Sequence, residues 1–121
     1  MTRVAAIDCG TNSIRLLIAD VDVASSKLTD VVRLMETVRL GEGVDRTGEF
    51  SAAALERTFA TCDRYADQIR THGVSKVEFV ATSASRDVSN RDEFVSGVNS
   101  RLGVPPSVIT GEQEAQLSFA G

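Results

Sequence analysis

Two apolar, β-branched runs, Arg3 to Cys9 and Ile14 to Val21, are separated only by Gly10-Thr11-Asn12-Ser13. So short a polar link leaves room for an antiparallel neighbour and little else, because a parallel crossover needs roughly a dozen residues or more. A third run, Leu28 to Leu40, follows a small polar turn, so the beginning of the chain predicts an antiparallel meander. A glycine-marked loop at 41–49 comes next, and then the period changes. Leu55, Phe59, Cys62, Ala66 and Ile69 recur at helical spacing, one apolar stripe that starts behind a Ser51 N-cap and stops at Gly73. Lys76 to Ala81 reads as a fourth strand. Asn90 and Glu93 have capping-box spacing for a second helix, with Phe94, Val95, Val98 and Leu102 as its buried side and Gly103 as its stop. After the Pro105-Pro106 break, Val108-Ile109 reads as a short fifth strand, and Thr110-Gly111-Glu112-Gln113 opens a third helix. The order β-β-β-α-β-α-β-α predicts an α/β domain with a mixed sheet, parallel where strands alternate with helices, and helices packed on it.

With 121 residues, 42% of them hydrophobic and 25% charged, the chain suits a single globular domain with its own core. A net charge of −4 argues against a nucleic-acid partner held through its phosphates. It does not exclude a phosphate ligand, which backbone N–H groups bind without net positive charge. No apolar stretch approaches the ~18 residues of a membrane span, and Met1-Thr2-Arg3-Val4 lacks the features of a signal peptide. Cys9 and Cys62 have neither disulfide-framework nor metal-site spacing, and are expected to be buried thiols in a reducing cytoplasm. His72 is expected to carry no chemistry, and Tyr65 to lie at a helix surface or core edge. The apolar side of the third helix, Ala115, Leu117, Phe119 and Ala120, runs straight into Gly121, which predicts a domain cut from a longer chain.

In open α/β sheets ligands sit beyond the carboxyl ends of the strands. Three polar turns are expected there: 8–13, 82–87 and 110–114. In the first, Gly10, Thr11, Asn12 and Ser13 offer hydroxyl, amide and backbone donors suited to a phosphate, and Asp8 fits if a hard cation such as Mg²⁺ lies between acid and anion. The same residues also suit an Asx-type hairpin turn. Arg15 is either a phosphate contact or an exposed strand cation. Arg39, before Gly41 and Gly43, is either a second cationic contact or part of a surface loop. Arg86, within Thr82-Ser-Ala-Ser-Arg86, could grip two phosphate oxygens with its planar fork, or pair with Asp87 or Asp92. Glu112 and Glu114 are either first-turn acids favoured by the helix dipole or the source of a base that orients water for attack on phosphorus.

Together, "AIDCGTNSIRLLIADV", "VRLGEGV" at 38–44, "ATSASRD" at 81–87 and "ITGEQEAQLSFAG" at 109–121 resemble the Ppx/GppA phosphatases, exopolyphosphatases and guanosine pentaphosphate phosphohydrolases. The resemblance implies a ribonuclease H-like fold of the actin, Hsp70 and sugar-kinase superfamily. It implies a cleft between two domains and Mg²⁺-dependent removal of a terminal phosphate from polyphosphate or pppGpp. It implies Asp8 near the metal; residues 10–13 and Arg86 on substrate phosphates, helped by Arg15 and Arg39; and Glu114 as catalytic acid, with Glu112 in reserve. The family's second phosphate loop would follow Gly121, so residues 1–121 are expected to form a single N-terminal domain that is inactive alone. The whole protein is expected to act in the cytoplasm, without nucleic-acid or membrane partners, as a candidate homodimer. Two rival readings are an ATP-binding actin-like or sugar-kinase domain and a non-catalytic sensor of polyphosphate or (p)ppGpp.

Overall fold

The computed structural model describes residues 2–22, 24–25, 27–81 and 88–108. Within them the chain runs β1 (Thr2–Cys9), β2 (Ser13–Asp22), β3 (Lys27–Thr37), α1 (Val44–Thr47), α2 (Ala52–Thr71), β4 (Lys76–Ala81), α3 (Arg91–Leu102) and β5 (Ser107–Val108). The sheet order is β3-β2-β1-β4-β5. The β1–β2–β3 meander is antiparallel, whereas β4 pairs in parallel with β1, and β5 with β4. The expected mixed sheet is therefore present. The expected third helix and Ile109 lie outside the described residues.

One face of the sheet carries the core. Ala5, Ile7 and Cys9 of β1 alternate inward beside Ile14, Leu16 and Ile18 of β2 and Phe79 and Ala81 of β4, and they join buried side chains of α2 and α3. Phe94 of α3 sits edge-on to both Phe50 and Phe79, with ring centroids 5.5 and 6.3 Å apart. In α2, Leu55, Cys62 and Ala66 are buried as expected, but Phe59 and Ile69 are only half-buried. The buried face turns instead toward Ala54, Thr58, Thr61 and Tyr65. Thr58 and Thr61 can be buried there because each hydroxyl donates to the carbonyl four residues back, of Ala54 and Arg57 respectively. Tyr65 is fully buried rather than at the core edge, and its hydroxyl donates to the Ile14 carbonyl at 2.7 Å. Phe59 points toward α3, where Gly97 makes room: a Cβ at Gly97 would lie 2.2 Å from the Phe59 ring. Arg101 of α3 covers the same ring, 4.4 Å from its centroid.

Some details differ from the sequence reading. Strand β3 ends at Thr37, not Leu40, because the next two N–H groups leave the ladder for the turn after β1. Val38 and Leu40 are apolar because they enter the core, not because they extend the strand. The glycine loop contains the short α1, bounded by Gly43 and Gly48 in left-handed conformation. Ser51 caps α2 as read, its hydroxyl accepting from the Ala54 N–H at 3.1 Å. Asn90 makes no such cap on α3. Its amide accepts from the Phe50 N–H and donates to the Phe50 carbonyl, both at 2.9 Å, and so ties α3 to the segment before α2.

Candidate functional site

The carboxyl ends of the three parallel strands lie side by side, because Cys9 is the register partner of Ala81 and Ala81 that of Val108. The turn after β1 begins at this edge. Gly10 donates its N–H to the Ser13 carbonyl at 2.9 Å, which closes the turn between β1 and β2. The outward carbonyls are taken up by the segment after β3: the Asn12 carbonyl accepts from both Val38 and Arg39 at 3.0 and 2.9 Å, and the Thr11 carbonyl accepts from Gly41 at 2.8 Å. Among the described residues the N–H groups of Thr11 and Asn12 have no such partner. Exposed N–H donors on a turn whose carbonyls are tied down present a partial positive charge, the polarity an anion requires.

The fit between these two segments is close. A Cβ at Gly41 would stand 3.2 Å from the Thr11 Cβ, so glycine lets the loop reach the turn. Arg39 has φ +50°, the one described non-glycine residue with positive φ. Such backbone costs an L-residue about 1–2 kcal/mol and persists only where its surroundings impose it. The paired bonds into Asn12 impose it here. Arg57 of α2 fixes the same loop from the other side: its Nε donates to the Val38 carbonyl at 2.8 Å and its Nη2 to the Arg39 carbonyl at 3.4 Å. Glu42 lies 3.6 Å from both guanidinium groups. Neither Arg57 nor Glu42 stood out in the sequence. Arg57 acts on backbone carbonyls eighteen and nineteen residues away, and no spacing rule reports such a bond.

Asp8 and Arg15 are directly opposed on β1 and β2, on the sheet face away from α2 and α3. Asp8 is half-buried and Arg15 is exposed. Side chains so opposed lie within ~5 Å at Cβ, although among the described residues no ion pair joins these two. The structure thus brings Asp8, the 10–13 turn, Arg15 and Arg39 to one end of the sheet. Arg86, Glu112 and Glu114 lie outside the described residues. His72 is remote, its Nδ1 2.8 Å from the Gln68 carbonyl at the end of α2. Both thiols are free and buried, as expected. Burial raises both, Cys62 to about 12. They are accordingly inert as nucleophiles near neutral pH.

The model of the Ppx/GppA phosphatase family matches residues 17–121. The chain belongs to this family. Exopolyphosphatase 2 of Mycobacterium tuberculosis is 53% identical over 128 residues, covering 100% of this chain and 40% of the relative. The crystal structure of the Aquifex aeolicus Ppx/GppA family member superposes with a TM-score of 0.88 at 34% identity, over 98% of this chain and 38% of that one. This Ppx/GppA chain therefore spans about 40% of the length of these curated relatives. T. thermophilus RuvC shares the fold alone, with a TM-score of 0.56 at 16% identity over 95% of this chain and 70% of that one. The ribonuclease H-like fold expected from the sequence holds. Among the described residues no helix of this Ppx/GppA chain is long and apolar enough to cross a membrane.

Proposed function

We propose that this chain is the N-terminal domain of an exopolyphosphatase that releases terminal phosphate from inorganic polyphosphate, with pppGpp as the alternative phosphoanhydride substrate. The observation that carries the reading is the turn at 10–13. Its carbonyls are clasped by the loop after β3, its Thr11 and Asn12 N–H groups have no partner among the described residues, and Arg39 is anchored alongside. Family membership and the name of the M. tuberculosis relative favour polyphosphate.

In this reading the turn and Arg39 bind and orient the phosphate chain, and Arg15 and Arg86 add charge-assisted contacts. Glu114, or Glu112 in its place, takes the proton from the attacking water. Among the described residues there is no group of three or more His, Cys, Asp and Glu side chains that could cage a metal. Asp8 with adjacent phosphate oxygens fits Mg²⁺, which is commonly held by one or two carboxylates together with substrate and water. When bound, Mg²⁺ would neutralise charge on the phosphate oxygens. The second phosphate loop belongs to the remainder of the protein, so residues 1–121 alone are expected to be inactive. A cytoplasmic location accords with two free, buried thiols.

The test is phosphate release from long-chain polyphosphate and from pppGpp by the full-length protein with Mg²⁺, as wild type and as Glu114→Ala. Release from polyphosphate that disappears in a folded Glu114→Ala variant supports the reading. Tight binding of either compound without turnover in the wild type would replace it with a sensor.

A further inference from the structure

Among the described residues, the exposed large hydrophobic side chains are Leu28, Val31, Leu34 and Met35, and all four lie on β3. This strand forms one edge of the sheet and runs for 11 residues, from Lys27 to Thr37. An edge of that length presents a row of backbone donors and acceptors ready to pair with another strand. We infer that β3 is an isologous interface, at which it pairs antiparallel with β3 of a second copy of this chain.

The choice of occupant comes from the strand's own sequence, Lys27-Leu-Thr-Asp-Val-Val-Arg-Leu-Met-Glu-Thr37. Laid antiparallel on itself about the Val31-Val32 centre, it opposes Lys27 to Glu36 of the second copy, Leu28 to Met35, Thr29 to Leu34 and Asp30 to Arg33. Each cation meets an acid, each exposed apolar residue a neutral one, and no like charges meet. Directly opposed pairs are the unit of sheet stability, and like charges there are unfavourable.

The pleat permits this register because of an irregularity in β3. Toward its C-terminal end, Leu34 opposes Leu16 and Val32 opposes Ile18, so Arg33 and Met35 point away from the helices. Between Ile18 and Ala19 the register shifts, and Asp30 opposes Ala19 and Leu28 opposes Val21. The extra residue places Leu28 and Asp30 on the same face as Arg33 and Met35. The Asp30–Arg33 contact within the chain, at 2.6 Å, shows that these two do share a face. In an unbroken strand the same register would set each side chain against one pointing the opposite way. With the shift, the two members of each pair share a face of the joined sheet, Leu28–Met35 and Asp30–Arg33 on one side and Lys27–Glu36 and Thr29–Leu34 on the other, and two-fold symmetry is satisfied. Glu36 keeps its bonds to Arg64 of α2 and has acceptor capacity left for Lys27 of the second copy.

The test uses the full-length protein in sedimentation equilibrium. Asp30→Arg places two cations, and Arg33→Asp two acids, opposite each other in a self-dimer. Each variant alone should dimerise at least tenfold more weakly than wild type. Mixed in equal amounts they should regain dimers, because arginines at 30 and 33 then face aspartates at 33 and 30. A role confined to the contact within one chain would not respond to mixing. Leu28→Cys mixed with Met35→Cys should yield a cross-linked dimer under mild oxidation, since directly opposed strand residues lie within disulfide reach. A wild type that stays monomeric, a dimer indifferent to both charge variants, or variants that fail to complement each other would overturn the inference.

Discussion

Replacing Arg39 with glycine and with alanine separates what its backbone costs from what its guanidinium contributes. Its φ of +50° carries a penalty of about 1–2 kcal/mol for any L-residue. Alanine retains that penalty. Glycine escapes it, while giving back about 0.5–1 kcal/mol through the greater freedom of the unfolded chain. The Arg39–Glu42 pair, lost in both variants, is 3.6 Å long with both side chains more than half exposed, so its removal costs about 0–1 kcal/mol. Arg39→Gly should therefore be about 0.5–1 kcal/mol more stable than Arg39→Ala, or roughly 2–5 °C in Tm for a chain of this size. Urea and thermal denaturation of the two variants beside wild type measure the difference. Polyphosphate affinity should fall by about tenfold in both alike, the equivalent of one lost charge-assisted contact. Equal stabilities for the glycine and alanine variants would show that no strain is stored at residue 39. Undiminished affinity would remove the guanidinium from the proposed site.

Other perturbations follow from single contacts. Tyr65→Phe removes the donor to the Ile14 carbonyl and should cost about 1–2 kcal/mol in urea denaturation. Burial foremost raises the Tyr65 phenol from 10.0 to about 12, so stability is full below pH 10 and declines as the pH rises toward 12; Tyr65→Phe should remove that alkaline decline. Gly41→Val should push the loop away from Thr11 and weaken polyphosphate binding more than Gly41→Ala does, as calorimetric titration of the full-length protein would register. The Arg3 guanidinium holds the Asp20 carboxyl below its ordinary value. That stability is present above the usual carboxylate range and lost as pH falls, and Asp20→Asn should flatten the acid side of the stability profile.

Much of this architecture is written in local pattern. The β1–β2 hairpin is legible because its link is too short for anything else, and β4 because six residues with extended propensity stand between two glycine- or serine-rich breaks. Ser51 and Gly103 end their helices as single-residue chemistry dictates. The failures concern side chains whose partners are remote in sequence. Val38 and Leu40 look like more strand because burial selects the same residue types in a core loop as in a sheet. Asn90 has the spacing of a cap, yet its amide serves Phe50, forty residues away. Tyr65 looks amphipathic, and only the fold reveals the Ile14 carbonyl that allows its full burial. The 10–13 turn is legible as a donor-rich loop. The clasp that orients it is not, because the clasp is built from main-chain groups of residues 38–41.

The contact between Phe59 and Gly97 constrains how this sequence can change. A single added methyl at residue 97 meets three ring atoms of Phe59, at 2.2, 2.4 and 2.9 Å. The two positions therefore share one volume, and neither has an intrinsic tolerance of its own. Alanine at 97 gains about 1 kcal/mol of helix propensity over glycine, a gain that overpacking of about 1–3 kcal/mol outweighs while the ring is present. With Leu in place of Phe59 the same change should turn from harmful to beneficial, and a double-mutant cycle would record the reversal as coupling. Descent through this pair is accordingly ordered: the α2 side chain has to shrink before the α3 glycine can be lost.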